Sequence, residues 1–238
     1  MDIIRCIDFE TTGLPGPDMP ASGIMQTGWC DLTVETGAIT NPTDHLVNCG
    51  IPVSIEARAI HHISDEQVQL IGITPDKSCA ILMDGPHQYF GAHNIDMEQA
   101  YFGGGERVWI CTYKTALRVW PDAPGHKLQE LRYFLGLDDE PDFDPKHTQF
   151  PHRAPDDSYV CAFVMRRLLA AETLETLVKW SSGPALLMMC WMRKHKGKTW
   201  QKVAYEDREY LEWIYNVSDV KDRDIRATVK YWLKQTAK

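Results

Sequence analysis

Hydrophobic side chains occur in two different patterns along this chain. Near the start, a mostly apolar run over 3–7 ends at acidic residues, which is typical of a buried strand. Further on, apolar side chains recur every three or four residues, most clearly over 156–177, as they do on one face of a helix. Strands that come first and then alternate with helices predict an α/β fold, in which helices flank a mixed central sheet.

The same patterns predict the individual elements. Gly, Pro and Asp residues indicate a loop over 14–23. Ser64 and Gln67 have the spacing of a capping box at the start of a helix. The predicted strands are 3–8, a hairpin of 29–34 with 38–39, 89–92 and 109–112. The predicted helices are 54–59, 64–70, 75–83, 96–102, 113–120, 128–135, 156–177, 210–217 and 225–233.

A Ser-Ser-Gly-Pro segment at 181–184 is the predicted boundary between two domains. Residues 1–180 would form the larger domain and residues 184–238 a small basic C-terminal module. The module contains 12 Lys/Arg and 7 Asp/Glu, whereas residues 1–183 contain 13 Lys/Arg and 26 Asp/Glu. An acidic body needs cations to approach phosphate, while a basic module can bind a nucleic-acid backbone directly.

Composition indicates a globular protein of the reducing cytoplasm. The hydrophobic share is 44%, and the longest apolar stretches run about eight residues against the roughly 20 that span a bilayer. Seven cysteines without a Cys-x-x-Cys pair fit neither a disulfide framework nor a zinc module. The N-terminus lacks the basic and long apolar regions of a secretion signal. We therefore expect mostly packed, reduced cysteines, a cytoplasmic location and no membrane partner.

Asp8 and Glu10 stand two residues apart where the first strand ends. In an extended chain both side chains point to the same face, so their negative charges repel unless a cation lies between them. Mg²⁺ and Mn²⁺ prefer such carboxylate oxygens. An isolated Asp-x-Glu is usually a solvated turn, so the rest of the sequence must decide between the two interpretations.

Two later segments favour the cation site. A Gly-Ala-His-Asn sequence at 91–94 leads into an acidic helix start, and His152 stands five residues before Asp157 at the start of the longest helix. Together with the Asp-Phe-Glu-Thr-Thr-Gly run at 8–13, these segments resemble the motifs of the DEDDh exonucleases, whose fold is ribonuclease H-like. Within that branch, 109–112 and the C-terminal module are similar to bacterial exodeoxyribonuclease X, and the resemblance covers nearly the whole chain.

The resemblance implies a 3′→5′ exonuclease that uses two Mg²⁺ or Mn²⁺ ions. Asp8 would bridge the ions, while Glu10 and Asp157 would hold the ion on the nucleophile side. His152 would be the general base that takes a proton from the attacking water, a role suited to an imidazole. A histidine before a helix is otherwise a surface or capping residue, but its spacing from Asp157 favours catalysis.

The fourth acid is either Asp96 or Glu98. The family pattern of His-Asn followed by an acid reaches Glu98 four residues after Asn94. With Glu98 facing the site, Tyr101 and Phe102 would face the core, whereas Asp96 would place polar and small residues there. We therefore predict Glu98 as the fourth acid, acting more indirectly through its longer side chain.

The terminal nucleotide would be bound by residues near the first two motifs. The resemblance implies that backbone at Thr11 and Thr12 holds the 3′-hydroxyl. His61 is either nucleotide-facing or, with His62, part of a helix-end pair. Gln26 stands where relatives often have a Glu, so a sugar contact there would lose its charge. The predicted substrate-binding residues are Thr11, Thr12, Gly13, Leu14, His61 and Asn94.

A dense basic run occupies 193–202 in the C-terminal module. Cations with an aromatic among them suit nonspecific DNA binding. The alternative is a solvated hairpin in which Trp200 completes a small core with Trp213 and Trp232, and the two interpretations are compatible. The predicted DNA-binding residues are Arg193, Lys194, Lys196, Lys198 and Lys202.

Three functions remain open from the sequence. The first is an exonuclease acting on DNA 3′ ends, either single-stranded or frayed, and releasing nucleoside monophosphates. The second is an exoribonuclease, since related enzymes trim RNA and the site must contact the sugar to distinguish the 2′-hydroxyl. The third is a non-catalytic adaptor that binds DNA ends, against which the presence of Asp8, Glu10, His152 and Asp157 argues.

Overall fold

A mixed sheet of five strands forms the centre of the computed structural model, which describes residues 1–13 and 22–237. Most of the predicted loop at 14–23, including Leu14, lies outside the described residues. A separate sheet of two short strands lies near the C-terminus. The strands are β1 (Ile3–Thr11), β2 (Ile24–Thr33), β3 (Thr43–Leu46), β4 (Tyr89–Ala92), β5 (Val108–Cys111), β6 (Met189–Cys190) and β7 (Lys198–Thr199).

Helices and short 3₁₀ turns connect these strands. The helices are α1 (Ile55–His61), α2 (Asp65–Ile71), α3 (Pro75–Met83), α4 (Asp96–Tyr101), α5 (Thr112–Val119), α6 (Leu128–Phe134), α7 (Ala154–Ala171), α8 (Leu174–Ser181), α9 (Trp200–Glu206), α10 (Arg208–Asn216) and α11 (Arg223–Gln235). The 3₁₀ turns are Leu137–Asp139, Pro145–Thr148 and Arg193–His195.

Strand β1 lies in the middle of the sheet and carries buried residues on both of its faces. The strand order is β3-β2-β1-β4-β5, and β1 runs antiparallel to β2 but parallel to β4. Ile4 and Cys6 point to one face, Ile7 points to the other, and all three are fully buried, as expected for a strand covered on both faces. The predicted α/β fold with a mixed central sheet is confirmed.

Helix α7 packs across the sheet and fixes where the third motif lies. Its inner face carries Val160, Phe163 and Val164, all fully buried in the main hydrophobic core. The helix begins against Gly28 of β2, which pairs with Asp8 of β1. The start of α7 is therefore held beside the end of β1 that carries the acids.

The structure differs from the predicted elements in three places. The predicted hairpin of 29–34 with 38–39 is present in a short form, in which Leu32 bridges Ile39 in antiparallel fashion and Thr33 N–H donates to the Ala38 carbonyl. The strand that pairs with β2 over a longer stretch is β3, which was not predicted. The single helix predicted over 156–177 is broken, because Glu172 is extended and the Thr173 side chain accepts a hydrogen bond from Thr176 N–H to begin α8. Helix α9 was not predicted. The Ser64–Gln67 capping box is present as predicted.

The C-terminal residues have a hydrophobic cluster of their own. Trp200, Val203 and Leu211 are buried in it, and Leu117 of α5 joins it from the larger part of the chain. Trp200 is fully buried, but Trp213 is 47% exposed, so the predicted three-tryptophan core is wrong in that member. The division into domains at 1–180 and 184–238 stays a prediction.

All seven cysteines are free thiols, and five of them are buried. Across 1–13 and 22–237, none of the helices combines the length and the apolar character that a membrane span requires.

Replacing Gly28 by alanine tests the contact between β2 and α7. An added Cβ would overlap the backbone of Ala154 and Pro155, which no side-chain movement can relieve. We expect Gly28→Ala to lower the free energy of unfolding by about 3 kcal/mol, measured by urea denaturation. The matched control is Gly183→Ala, because nothing lies within 4 Å of the added carbon there. A Gly28→Ala protein as stable as this control would contradict the packing.

Candidate active site

Three carboxylates converge at the junction of β1 and α7. Asp8 and Glu10 point the same way because they are two residues apart on an extended strand. Asp157 lies in the first turn of α7. One ligand oxygen from each of the three lies within 4.8 Å of the others. The structure therefore brings together three of the predicted metal ligands.

Crowding and burial make this cluster electrostatically unfavourable in the absence of a cation. Burial, and then the charge of Asp157, raises the pKa of Glu10 to about 8. The pKa of Asp8 is raised by burial first and then by the charges of Asp157 and Glu10. The positive charge of Arg153 opposes the shift in the pKa of Glu10. A hard divalent cation binds such crowded carboxylate oxygens well, because its positive charge relieves the repulsion among them.

The two acids of the second motif, Asp96 and Glu98, lie in different environments. Glu98 is buried, and burial raises its pKa to about 8. Among the described residues its Oε2 has no hydrogen-bond partner, and its charge contributes to the raised pKa of Asp8. Asp96 is exposed and pairs with Lys114 at 2.9 Å and Arg223 at 2.6 Å. Glu98 therefore lies near the cluster of Asp8, Glu10 and Asp157, although it is not one of these three converging ligands.

The register of α4 agrees with this arrangement. Tyr101 and Phe102 pack against a buried cluster that includes Phe9, whereas Gln99 and Ala100 are exposed. The role of Glu98 as a metal ligand stays a prediction.

His152 is exposed beside the acids and is held there by its own backbone. Its φ of 63° places it in the left-handed region just before α7. Its backbone N–H donates a 2.7 Å hydrogen bond to Asp157 Oδ2. A cavity of about 460 Å³ is lined by His152, Asp8, Asp157 and Asn94. A histidine at the mouth of a cavity that also contains the carboxylates can exchange a proton with a bound water.

Gln129 is a neighbour of the site that sequence reasoning missed. Its Nε2 donates a 2.8 Å hydrogen bond to Asp157 Oδ1. Gln129 lies in the first turn of α6, where a polar residue on an amphipathic helix gives no signal in the sequence.

A second cavity of about 430 Å³ lies on the other side of Glu10. Thr11, Gly13 and His61 line it together with the apolar residues Phe9, Ile60 and Met97. Thr12 is fully buried, and its hydroxyl accepts a hydrogen bond from Gly23 N–H. Leu14 lies outside the described residues. Asn94 lines the first cavity and not this one.

The ring of His61 is already fully hydrogen-bonded. Its Nδ1 accepts from Ile63 N–H at 3.0 Å, so Nε2 carries the proton and donates to the Thr11 carbonyl at 3.1 Å. Burial lowers its pKa, which keeps the ring neutral. His62 instead ends α1 in the left-handed conformation. The two histidines therefore have different roles, and His61 shapes the cavity wall.

Gln26 connects the elements behind the acids. Its Nε2 donates to Asp44 Oδ2 at 2.7 Å, and its Oε1 accepts from Ala154 N–H at 3.3 Å. A glutamate at this position would have no hydrogen to donate to Asp44. Gln26 is therefore part of the contact that holds the start of α7 against the sheet.

Three cations of the basic run form ion pairs inside the C-terminal module. Lys194 pairs with Asp207 at 2.6 Å. Lys198 and Lys202 pair with Glu206 at 2.7 and 3.7 Å. Within the described part of the chain, Arg193 and Lys196 form no ion pair. DNA binding by this run stays a prediction.

Comparison with curated proteins gives a relative of matching length. No family model matches the chain. Exodeoxyribonuclease 10 of Escherichia coli strain K12 is 30% identical over 245 residues, which cover 98% of this chain and 100% of the relative. The protein of the same name from Escherichia coli O6:H1 matches to the same extent.

Solved structures give the same fold. Exonuclease X in complex with 5′ overhanging duplex DNA matches with a TM-score of 0.60 and 27% identity, over 75% of this chain and 99% of that chain. The nuclease domain of 3′hExo, a DEDDh family member bound to rAMP, is 20% identical with a TM-score of 0.54, over 71% of this chain and 92% of that chain, which supports the fold alone. With a relative at 30% identity along almost its entire length, the chain belongs to the exodeoxyribonuclease X family.

Proposed function

We propose that the chain is a 3′→5′ exonuclease that removes nucleoside monophosphates from DNA ends. The observation that carries the proposal is the convergence of Asp8, Glu10 and Asp157 within 4.8 Å beside exposed His152. The choice of DNA is supported by the 30% identical relative, named an exodeoxyribonuclease, and by the DNA in the matching exonuclease X structure.

The acids are proposed to hold two divalent cations, Mg²⁺ or Mn²⁺. Asp8 would contact both, Glu10 and Asp157 would hold one of them, and Glu98 would contribute less directly. When bound, such cations supply a water of lowered pKa and a positive charge next to the leaving oxygen. Burial of the acids supports this assignment, since three ionised carboxylates at this separation are stable only with a counter-charge.

His152 is proposed to be the general base. The hydrogen bond from its backbone N–H to Asp157 keeps the imidazole at the edge of the acidic cluster. Because the ring is exposed, it would pass the proton taken from the attacking water on to solvent. The apolar walls of the second cavity, including Ile60 and Met97, would pack against the terminal nucleoside. Backbone at Thr11 and Thr12 would bind its 3′-hydroxyl.

The basic run of the C-terminal module is proposed to bind the DNA backbone. Arg193 and Lys196 are the members without an ion pair among the described residues, so they can contact phosphate at no loss of an existing pair. A cytoplasmic location is proposed from the seven free thiols.

Labelled oligonucleotides test the activity and its direction. With Mg²⁺, we expect single-stranded DNA labelled at its 5′ end to shorten through a ladder of products, because the enzyme removes one 3′ nucleotide at a time. The same DNA labelled at its 3′ end should release only labelled mononucleotide. Gel electrophoresis and thin-layer chromatography measure the two products.

The controls distinguish the remaining functions. EDTA and the Asp8→Ala variant should each lower the rate by at least about 1,000-fold, since the remaining acids cannot hold both cations. Matched RNA tests the exoribonuclease alternative. Binding of DNA ends without any degradation would indicate an adaptor, and equal rates for wild type and Asp8→Ala would refute the assignment.

A pair of isosteric substitutions tests the fourth acid. Glu98→Gln removes a carboxyl group that can ionise beside Asp8 when a cation binds, and should lower kcat by roughly 100-fold because the metal site loses a supporting group. Asp96→Asn is the matched control, because Asp96 faces Lys114 and Arg223 instead. We expect its kcat to stay within about three-fold of wild type. The reverse ranking of the two variants would assign the role to Asp96.

The raised pKa of Glu10 predicts a pH-dependent stability. The folded state binds this proton up to about pH 8, whereas the ordinary value is 4.5, so metal-free protein loses stability as pH rises through this window. Glu10→Gln resembles the protonated form and lacks this loss. Thermal unfolding in EDTA should therefore show Glu10→Gln gaining stability relative to wild type from pH 5 to pH 8. Saturating Mg²⁺ should remove the gain, and a gap that is constant with pH would contradict the shift.

A further inference from the structure

Asp157 is the only one of the three converging acids whose two oxygens both accept hydrogen bonds from described residues. Oδ2 accepts from the backbone of His152 at 2.7 Å, which is a local contact at the start of α7. Oδ1 accepts from Gln129 Nε2 at 2.8 Å, and this residue comes from α6, 28 positions earlier in the chain. The orientation of the carboxylate is therefore set from two independent elements.

The direction of the Gln129 amide is fixed by Arg132. Arg132 NH1 donates to Gln129 Oε1 at 3.4 Å, so the amide NH₂ must face Asp157. A flipped amide would bring its oxygen against the Asp157 carboxylate and its NH₂ against the guanidinium, and both contacts would be repulsive.

Arg132 is itself held firmly. It is 7% exposed, and its Nε and NH2 contact Asp138 Oδ1 at 2.8 and 2.7 Å. Its NH1 also donates to the Thr148 carbonyl at 3.5 Å, in the segment that leads to His152. One buried guanidinium thus contacts both the amide that holds Asp157 and the chain that leads to the proposed base.

A neutral donor suits this position better than a charged one. A lysine or arginine contacting Asp157 would form an ion pair and compete with any cation for the same oxygens. An amide fixes one oxygen and leaves the negative charge and the remaining lone pairs available. Arg132 pairs with Asp138 and reaches Asp157 only through Gln129.

We propose that Gln129 is a positioning residue for Asp157, and that Arg132 and Asp138 fix the direction of its amide. The proposal rests on the proposed function of Asp157 as a metal ligand. It makes a specific claim: the hydrogen bond prepares Asp157 for cation binding and contributes little to the stability of the fold.

Metal binding without DNA tests this claim. Gln129→Leu removes the donor at similar volume, and Mn²⁺ binding is measured by calorimetry together with the Mg²⁺ concentration that half-activates DNA degradation. Both constants should weaken by about ten-fold, whereas kcat at saturating Mg²⁺ should fall much less. The melting temperature in EDTA should stay close to that of wild type. Gln69→Leu on the exposed face of α2 is the matched control and should change none of these values.

A second variant keeps the test decisive if the leucine disturbs folding. Gln129→Asn retains the amide on a side chain one methylene shorter, which cannot span the 2.8 Å contact, and should weaken metal binding to a similar extent. Metal binding within two-fold of wild type in either folded variant would overturn the role of Gln129, whereas wild-type protein that degrades no DNA with metal would overturn the proposed function instead.

Discussion

Repulsion among carboxylates is the constraint on which the rest of the site depends. At 4.8 Å, two unit charges in a partly buried environment repel by roughly 3 kcal/mol, and three such pairs converge here. The protein tolerates this cost because the acids lie on the most firmly packed elements, β1 in the middle of the sheet and α7 across it. Gly28 of β2 allows the start of α7 to approach the sheet, and Gln26 connects the start of α7 to the sheet.

The structure orients Asp157 without pairing it to a basic side chain. Asp157 receives its two hydrogen bonds from a backbone N–H and an amide, while the nearby cations mostly have other partners. Lys114 pairs with Asp96, and Arg132 pairs with Asp138. A site that must accept a divalent cation needs oxygens that are ordered but not already paired with a basic side chain. Asp157 meets this requirement because its hydrogen-bond donors are neutral, while Lys114 and Arg132 pair with other carboxylates.

The sequence predicted what depends on local spacing and missed what depends on tertiary contact. Asp8 and Glu10 share a face because a strand alternates, and Glu98 is buried because α4 has a period of 3.6 residues, so both arrangements follow from the residues alone. Gln129 meets Asp157 only through the packing of α6 on α7, which no spacing encodes. The break at Glu172 was missed because apolar periodicity continues across it into α8, although Thr173 offered a capping signal.

The ion pairs of the C-terminal module bear on how such a chain approaches DNA. Lys194, Lys198 and Lys202 pair with Glu206 and Asp207 at the surface, where each pair contributes little because water screens it. Exchanging one of these carboxylates for a DNA phosphate therefore changes the free energy only slightly, and the gain comes from counterions that the DNA releases. A run whose cations are partly paired can still bind a polyanion at low salt, and its contribution should decline steeply as salt rises. The buried acidic cluster is screened far less, so salt should weaken DNA binding through the module before it weakens cation binding at the acids.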